Sequence, residues 1–259
     1  MKNQSASRNA QNMASNNASI NESMDALFGG RLKLFQSRSG YRFSLDALLL
    51  AAFATIGKQD VVADLGTGNG VIPLVLAERC AAKIVGIEMQ SSLAERARRN
   101  IALNDLSDRV SIIHGDVRAI RTLAEPEGFT AVLCNPPYRR ASSGRLSPDQ
   151  ERQLARHQLH GTIDDFVRAG AYLVPQKGRL FFIYEAEHSV DLLAAMRGSA
   201  IEPKRVCFVH SRSDSAASLV LVEGVKSGRP GVVVAAPLII FNAPNEYSDE
   251  VANIIAGKK

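Results

Sequence analysis

Val61-Val62-Ala63-Asp64-Leu65-Gly66-Thr67-Gly68-Asn69-Gly70-Val71-Ile72-Pro73-Leu74-Val75-Leu76 passes from an apolar strand through alternating glycines into an apolar helix. The glycines permit positive φ and let a ligand approach the backbone. Pro73 falls near the helix start, where a missing N–H is tolerated. Strand, glycine turn and helix predict the first nucleotide-binding unit of a doubly wound, mostly parallel α/β sheet. The next strand, Lys83-Ile84-Val85-Gly86-Ile87, ends in Glu88, about 20 residues past the glycines, the spacing at which an acid meets ribose hydroxyls. An exposed acid at a strand end is the plainer alternative.

A third strand, Val110-Ser111-Ile112-Ile113-His114, leads to Gly115-Asp116. Asp116 either accepts from an adenine amino group or caps the helix after it. A fourth, Ala131-Val132-Leu133-Cys134, delivers Asn135-Pro136-Pro137-Tyr138. Each proline fixes its own φ and pushes the residue before it out of the helical region, so Asn135 and Pro136 are held extended. The Asn135 side chain and the Pro136 carbonyl then offer two acceptors beside the Tyr138 ring, on which a planar group can stack. The matching partner is a flat amide or an exocyclic amine with two N–H donors, such as adenine N6. Alone, the tetrapeptide also reads as an ordinary turn. The glycine turn, Glu88, Asp116 and Asn135 all end strands, however, and in an open parallel sheet those ends share the edge where ligands bind.

The 259 residues are 46% hydrophobic and 22% charged, enough core for one large domain or two small ones. A formal charge of +5 and a pI near 9.2 hint at a polyanionic partner. Cys80, Cys134 and Cys207 are far apart, which predicts reduced core residues of a cytoplasmic protein and no zinc or other metal site. Residues 1–24 carry almost no large apolar side chain, so a disordered polar tail is expected, followed by one domain over 25–259. There is no signal-peptide core, and no apolar run approaches the roughly 20 residues that span a bilayer.

Leu32-Lys33-Leu34-Phe35-Gln36 and Tyr41-Arg42-Phe43 flank Ser39-Gly40, which predicts a β-hairpin. Ser44 then opens a nearly all-apolar helix in which Asp46 is the odd residue, either a first-turn acid or a contact for a ligand's ammonium. Arg96, Arg98 and Arg99 read as a solvated helix face. Residues 139–160 are Arg-rich, with Arg139, Arg140, Arg145, Arg152 and Arg156 set just after the acceptor motif. A solvated loop accounts for them, and so does a phosphate-gripping lid. Thr162-Ile163-Asp164-Asp165 is a capping box, and two late apolar strands, around 206–209 and 217–222, fit an antiparallel edge.

In these motifs the chain resembles class I S-adenosylmethionine-dependent amino-methyltransferases. Over residues 27–255 it is similar, more narrowly, to the bacterial tRNA1(Val) adenine-N6 methyltransferase family. Elements like Phe43-Ser44-Leu45-Asp46 and Asn245-Glu246-Tyr247-Ser248 flank the cofactor motifs there. The resemblance implies a seven-stranded, mostly parallel sheet with S-adenosyl-L-methionine as cofactor and tRNA as partner, and neither a membrane nor an obligate protein partner. It implies a cofactor site of Phe43, Ser44, Asp46, Asp64, Gly66, Gly68, Gly70, Glu88, Met89, Asp116, Val117 and Asn135. Asn135, Pro136 and Tyr138 would act on the target amine. The glycine spacing departs from the dehydrogenase GxGxxG, which counts against NAD. Alternatives are protein-glutamine N5 methylation, and N6-adenine or N2-guanine methylation of rRNA or DNA. A non-enzymatic RNA-binding protein on the same fold is a different class of answer, against which the intact motifs argue.

Overall fold

A computed structural model describes residues 22–38, 44–80, 82–137 and 161–258. Tyr41-Arg42-Phe43, Tyr138 and the Arg-rich segment 139–160 lie outside the described residues. The chain begins with a hairpin, β1 (Glu22–Leu27) and β2 (Leu32–Ser37), followed by helix α1 (Leu45–Phe53). Strand and helix then alternate: β3 (Val61–Leu65), α2 (Val71–Arg79), β4 (Lys83–Glu88), α3 (Ser91–Leu103), β5 (Val110–His114), the short α4 (Ile120–Leu123) and β6 (Ala131–Cys134). After the undescribed segment come α5 (Ile163–Leu173), β7 (Arg179–Glu185), α6 (Ser189–Gly198), β8 (Ile201–His210) and β9 (Ala217–Lys226). Two-residue strands β10 (Val233–Val234) and β11 (Leu238–Ile239) follow, and α7 (Asp249–Ile255) closes the described chain.

The main sheet runs β10-β8-β9-β7-β6-β3-β4-β5, with β11 also on β8. Its five β3–β7 strands pair parallel, and β9 pairs antiparallel with both β7 and β8. The expected seven strands are therefore there, and β10 and β11 extend the sheet to nine by pairing parallel with β8. Period-2 alternation divides the core. Ala131, Leu133, Phe181 and Ile183 pack toward α1, α2, α3 and the hairpin, while Val132, Cys134, Leu180, Phe182 and Tyr184 pack toward α5 and α6. A strand buried on both faces reads as an unbroken apolar run, as β6 and β7 do.

Two expectations need correction, on the tail boundary and on the α3 arginines, and the strand at 32–37 has an unforeseen partner upstream, while its expected partner Tyr41-Arg42-Phe43 lies outside the described residues. The hairpin pairs Leu32–Ser37 with the strand upstream, Glu22↔Ser37 through Leu27↔Leu32, around a turn at Phe28–Gly30. Residues 22–24, expected in the tail, therefore belong to β1. Arg96 and Arg99 do not lie on a solvated face. Both bond the Glu22 carboxylate, Arg96 Nε at 2.8 Å and Arg99 Nη2 at 2.7 Å, and Glu22 is only 8% exposed. The hydrogen bond from Arg99 holds the Glu22 carboxyl below its ordinary range against the opposing effect of burial, and Arg96 adds to it. Glu95 and Arg98, paired with each other and exposed, match the solvated reading.

Candidate active site

β3 and β6 are neighbours with Leu65 level with Cys134, so the chain leaves the sheet at Gly66 and at Asn135 side by side. β4 lies on the other side of β3, with Leu65 level with Ile87, and Glu88 is level with His114 of β5. The sheet thus brings the glycine turn, Glu88, Asp116 and Asn135 to one edge.

The turn is built as the glycines require. Gly66, Gly68 and Gly70 have φ of 73°, 57° and 84°, a region that side chains with a Cβ rarely enter. A Cβ on Gly70 would also lie 3.2 Å from Cβ of Ala97, so α3 packs close against the turn. The Gly66 and Thr67 amides donate to the Ile87 carbonyl, and the Gly68 amide donates to Glu88 Oε2 at 2.9 Å. Glu88 Oε1 accepts from the Gln90 amide at 2.8 Å, so both oxygens of this buried carboxylate are oriented by backbone. Each keeps acceptor capacity for a ribose hydroxyl.

Asp64, Thr67 and Asn69 are buried at this turn. Both Asp64 carboxylate oxygens, the Thr67 hydroxyl and both Asn69 side-chain amide atoms have no hydrogen-bond partner there. Such a concentration of buried polar atoms without partners is costly unless a polar ligand completes it. Burial raises the Asp64 carboxyl to about 7, and the nearby charge of Glu88 pushes the same way. The Thr67 hydroxyl lies close enough to offset part of this without forming a well-shaped hydrogen bond. A desolvated carboxylate, a hydroxyl and an amide suit the ammonium and carboxylate of an amino acid, and Glu88 suits a ribose. That donor set fits S-adenosylmethionine.

Asp116 follows the capping alternative. It accepts from the Arg118 amide at 2.9 Å, and Arg118 Nη2 lies 2.5 Å from its Oδ2. The hydrogen bonds from Arg118 hold its carboxyl below the ordinary range. An adenine amino group would share this carboxylate with Arg118. Val117 beside it is buried, and the Met89 carbonyl lies 3.0 Å from His114 Nε2. Ser44 stands exposed at the N-cap position of α1 without a side-chain capping bond, and Asp46 lies in the first turn. On the acceptor side Pro136 is buried, Asn135 half-buried and Pro137 exposed. Phe166 of α5 reaches the turn, within 3.5 Å of where a Gly66 Cβ would stand. Phe43, Tyr138, Arg139, Arg140, Arg145, Arg152 and Arg156 lie outside the described residues. Thr67 and Asn69 are not singled out in the sequence as individual site residues, although both sit inside the quoted turn.

An open α/β sheet with a glycine turn, a buried acid ending the next strand and an Asn-Pro-Pro segment on one edge is the architecture of a doubly wound nucleotide-binding protein. The methyltransferase small domain model matches residues 45–191, more than half of the chain. The chain belongs to that family and is an S-adenosylmethionine-dependent methyltransferase. It is 28% identical to a Tolumonas auensis protein named tRNA1(Val) (adenine(37)-N6)-methyltransferase, over 83% of this chain and 88% of that one. A Shewanella halifaxensis protein of the same name is 33% identical over 63% and 67% of the two chains. Among solved structures, a predicted O-methyltransferase, protein Atu636 from Agrobacterium tumefaciens, superposes with a TM-score of 0.68 at 25% identity, covering 82% of this chain and 96% of that one.

Proposed function

We propose that this enzyme methylates the exocyclic N6 of an adenine in tRNA, next to the anticodon of a valine tRNA. The observation that carries the reading is the Asn135-Pro136-Pro137 segment, which leaves β6 beside the glycine turn. The relatives named above supply the tRNA target. Bound at the turn, S-adenosylmethionine supplies an electrophilic methyl group on a sulfonium. Asn135 and the Pro136 carbonyl accept from the two N–H groups of N6, whose lone pair is otherwise delocalised into the ring. Held so, the nitrogen is drawn toward pyramidal geometry, and the positive charge that grows on it is stabilised by preorganised acceptors. The fixed backbone of the two prolines aligns the nitrogen for in-line approach at about 3–3.5 Å. Tyr138 stacks on the base, which has to turn out of its own stack to arrive. Arg139, Arg140, Arg145, Arg152 and Arg156 hold the tRNA backbone.

No described helix is long and apolar enough to cross a membrane. The cytoplasm is the proposed place of action, because the proposed tRNA substrate is there. Purified protein and methyl-labelled cofactor should be offered total tRNA, rRNA, duplex DNA and a glutamine-containing peptide in parallel. Label is expected in tRNA. Label in the peptide but not in tRNA moves the enzyme to glutamine methylation, and label only in rRNA keeps the chemistry but discards the target.

A further inference from the structure

Asn100 of α3 and Asn104, which caps the C-terminus of that helix, stand four residues apart, about 6 Å along the helix axis. Lys33 and Phe35 of β2 are two apart and turn their backbone groups to the same strand edge, separated by about 6.8 Å. The two spacings nearly match, and the side-chain amides use the match. Asn104 Oδ1 accepts from the Lys33 amide at 2.9 Å, and its Nδ2 donates to the Lys33 carbonyl at 2.6 Å. Asn100 Oδ1 accepts from the Phe35 amide at 2.6 Å, and its Nδ2 donates to the Phe35 carbonyl at 3.2 Å. Two asparagines thus pair with the free edge of the hairpin as a further strand would.

Asn100 does one thing that Asn104 does not. Its Nδ2 also donates to the Asn69 carbonyl at 2.9 Å, inside the glycine turn between Gly68 and Gly70. Asn100 is 0% exposed, so these bonds have no water to replace them. Its amide therefore spends both hydrogens and its oxygen on a junction of three elements, β2, α3 and the turn. At the far end of the hairpin, the Glu22 pairs with Arg96 and Arg99 fix β1 to the same helix.

We propose that Asn100 is a positioning residue for the cofactor, which holds the glycine turn in its binding shape by tying the Asn69 carbonyl to the anchored hairpin. The proposal rests on the glycine turn being the cofactor's seat. Asn104 serves as the control: it holds the hairpin through the same pair of bonds, from a more exposed position and with a further bond from its Nδ2 to the Asn100 carbonyl at 2.7 Å, and it makes no bond to the turn. Asn100→Leu and Asn104→Leu are near-isosteric and remove these bonds. Asn100→Ser, smaller and still polar, serves if the leucine variant does not fold. Glu88→Ala is run beside them, and folding of each variant is checked by circular dichroism and urea midpoint.

Calorimetric titration with S-adenosylhomocysteine should show binding weakened about tenfold in the Asn100 variant and changed less than about twofold in Asn104→Leu. Both variants should lower the urea midpoint. In steady state, Asn100→Leu should raise KM for the methyl donor and leave KM for tRNA in place. Equal weakening by the Asn100 and Asn104 variants assigns the effect to hairpin packing and overturns the proposal. Unchanged binding in Asn100→Leu beside weakened binding in Glu88→Ala overturns it too, while leaving the turn as the cofactor's seat. Unchanged binding in both overturns it together with the reading on which it rests.

Discussion

In the half of the sheet edge proposed to seat the cofactor, the turn after β3 takes its shape from three positive-φ glycines and carries the buried carboxylates Asp64 and Glu88. In the acceptor half, the segment after β6 takes its shape from two prolines and holds no charged side chain from Asn135 to Pro137. The difference follows from what each half has to do. Binding a zwitterionic, cationic ligand calls for charge, and buried charge is titratable. Accepting from a neutral amine calls for fixed dipoles, and these must not change with protonation. Substitutions in one half should therefore move affinity, and substitutions in the other should move the rate.

Asn135→Ala gives the largest expected effect, a fall in turnover of about a hundredfold or more, the scale of one preorganised electrostatic group. Calorimetry should find cofactor affinity almost unchanged, and near-normal turnover would remove Asn135 from the reaction. The converse is Glu88→Ala, which strands the Gly68 and Gln90 amides. It should cost on the order of 1–3 kcal/mol of cofactor binding, with turnover largely recovered at saturating cofactor. Wild-type protein that bound NAD instead would break the comparison at its root.

The pH dependence sharpens it. The Asp64 carboxyl is raised to about 7 in the folded protein from an ordinary 3.8, so across that window the native state keeps a proton that the unfolded chain has released. Its contribution to stability is complete below the lower value and is lost as pH rises through the upper one. Wild-type urea midpoints should accordingly fall relative to Asp64→Asn as pH climbs toward 7. A bound ammonium or sulfonium favours the carboxylate, so cofactor affinity should rise by up to about tenfold per pH unit below 7 and then level off, with protons released on binding. Affinity that is flat over that range would mean that Asp64 stays ionised.

Replacing Arg139 and Arg140 together should flatten the salt dependence of tRNA methylation by a slope of about 2, as expected if each Arg neutralises a phosphate, with cofactor affinity untouched. An unaltered slope would discard the grip. The smallest effects belong to the chain start. Removing residues 1–21, which carry few large apolar side chains to add to a core, should leave the melting temperature unchanged. Removing 1–24 takes away Glu22 and its two arginine pairs and should lower it by several degrees.

What the sequence made legible was local. The β3 turn, the Glu88 spacing, the Thr162 capping box and the two prolines each declare themselves within a few residues, and each stands where it was expected. What stayed hidden was long-range and polar. β1 presents a charge, Glu22, as its most buried side chain, so no apolar alternation marks it as a strand. Its arginine partners lie 74 and 77 residues away. The turn that closes the hairpin is at Phe28, itself at φ 54°, followed by Gly29 and Gly30, while Ser39-Gly40 lies outside the described residues. Asn100 and Asn104 read as ordinary helix residues because their partners, Lys33 and Phe35, can be identified only once the hairpin is docked.

Both halves of the edge are required by one central claim, that a methyl group passes from S-adenosylmethionine to N6 of an adenine in tRNA while Asn135 holds that amine. It is tested most directly by nucleoside mass spectrometry of unmodified tRNA after incubation with S-adenosylmethionine and either wild-type protein or Asn135→Ala. The account predicts N6-methyladenosine with the wild type and next to none with the variant at equal cofactor occupancy. A different methylated nucleoside, or the same yield from both proteins, would contradict it.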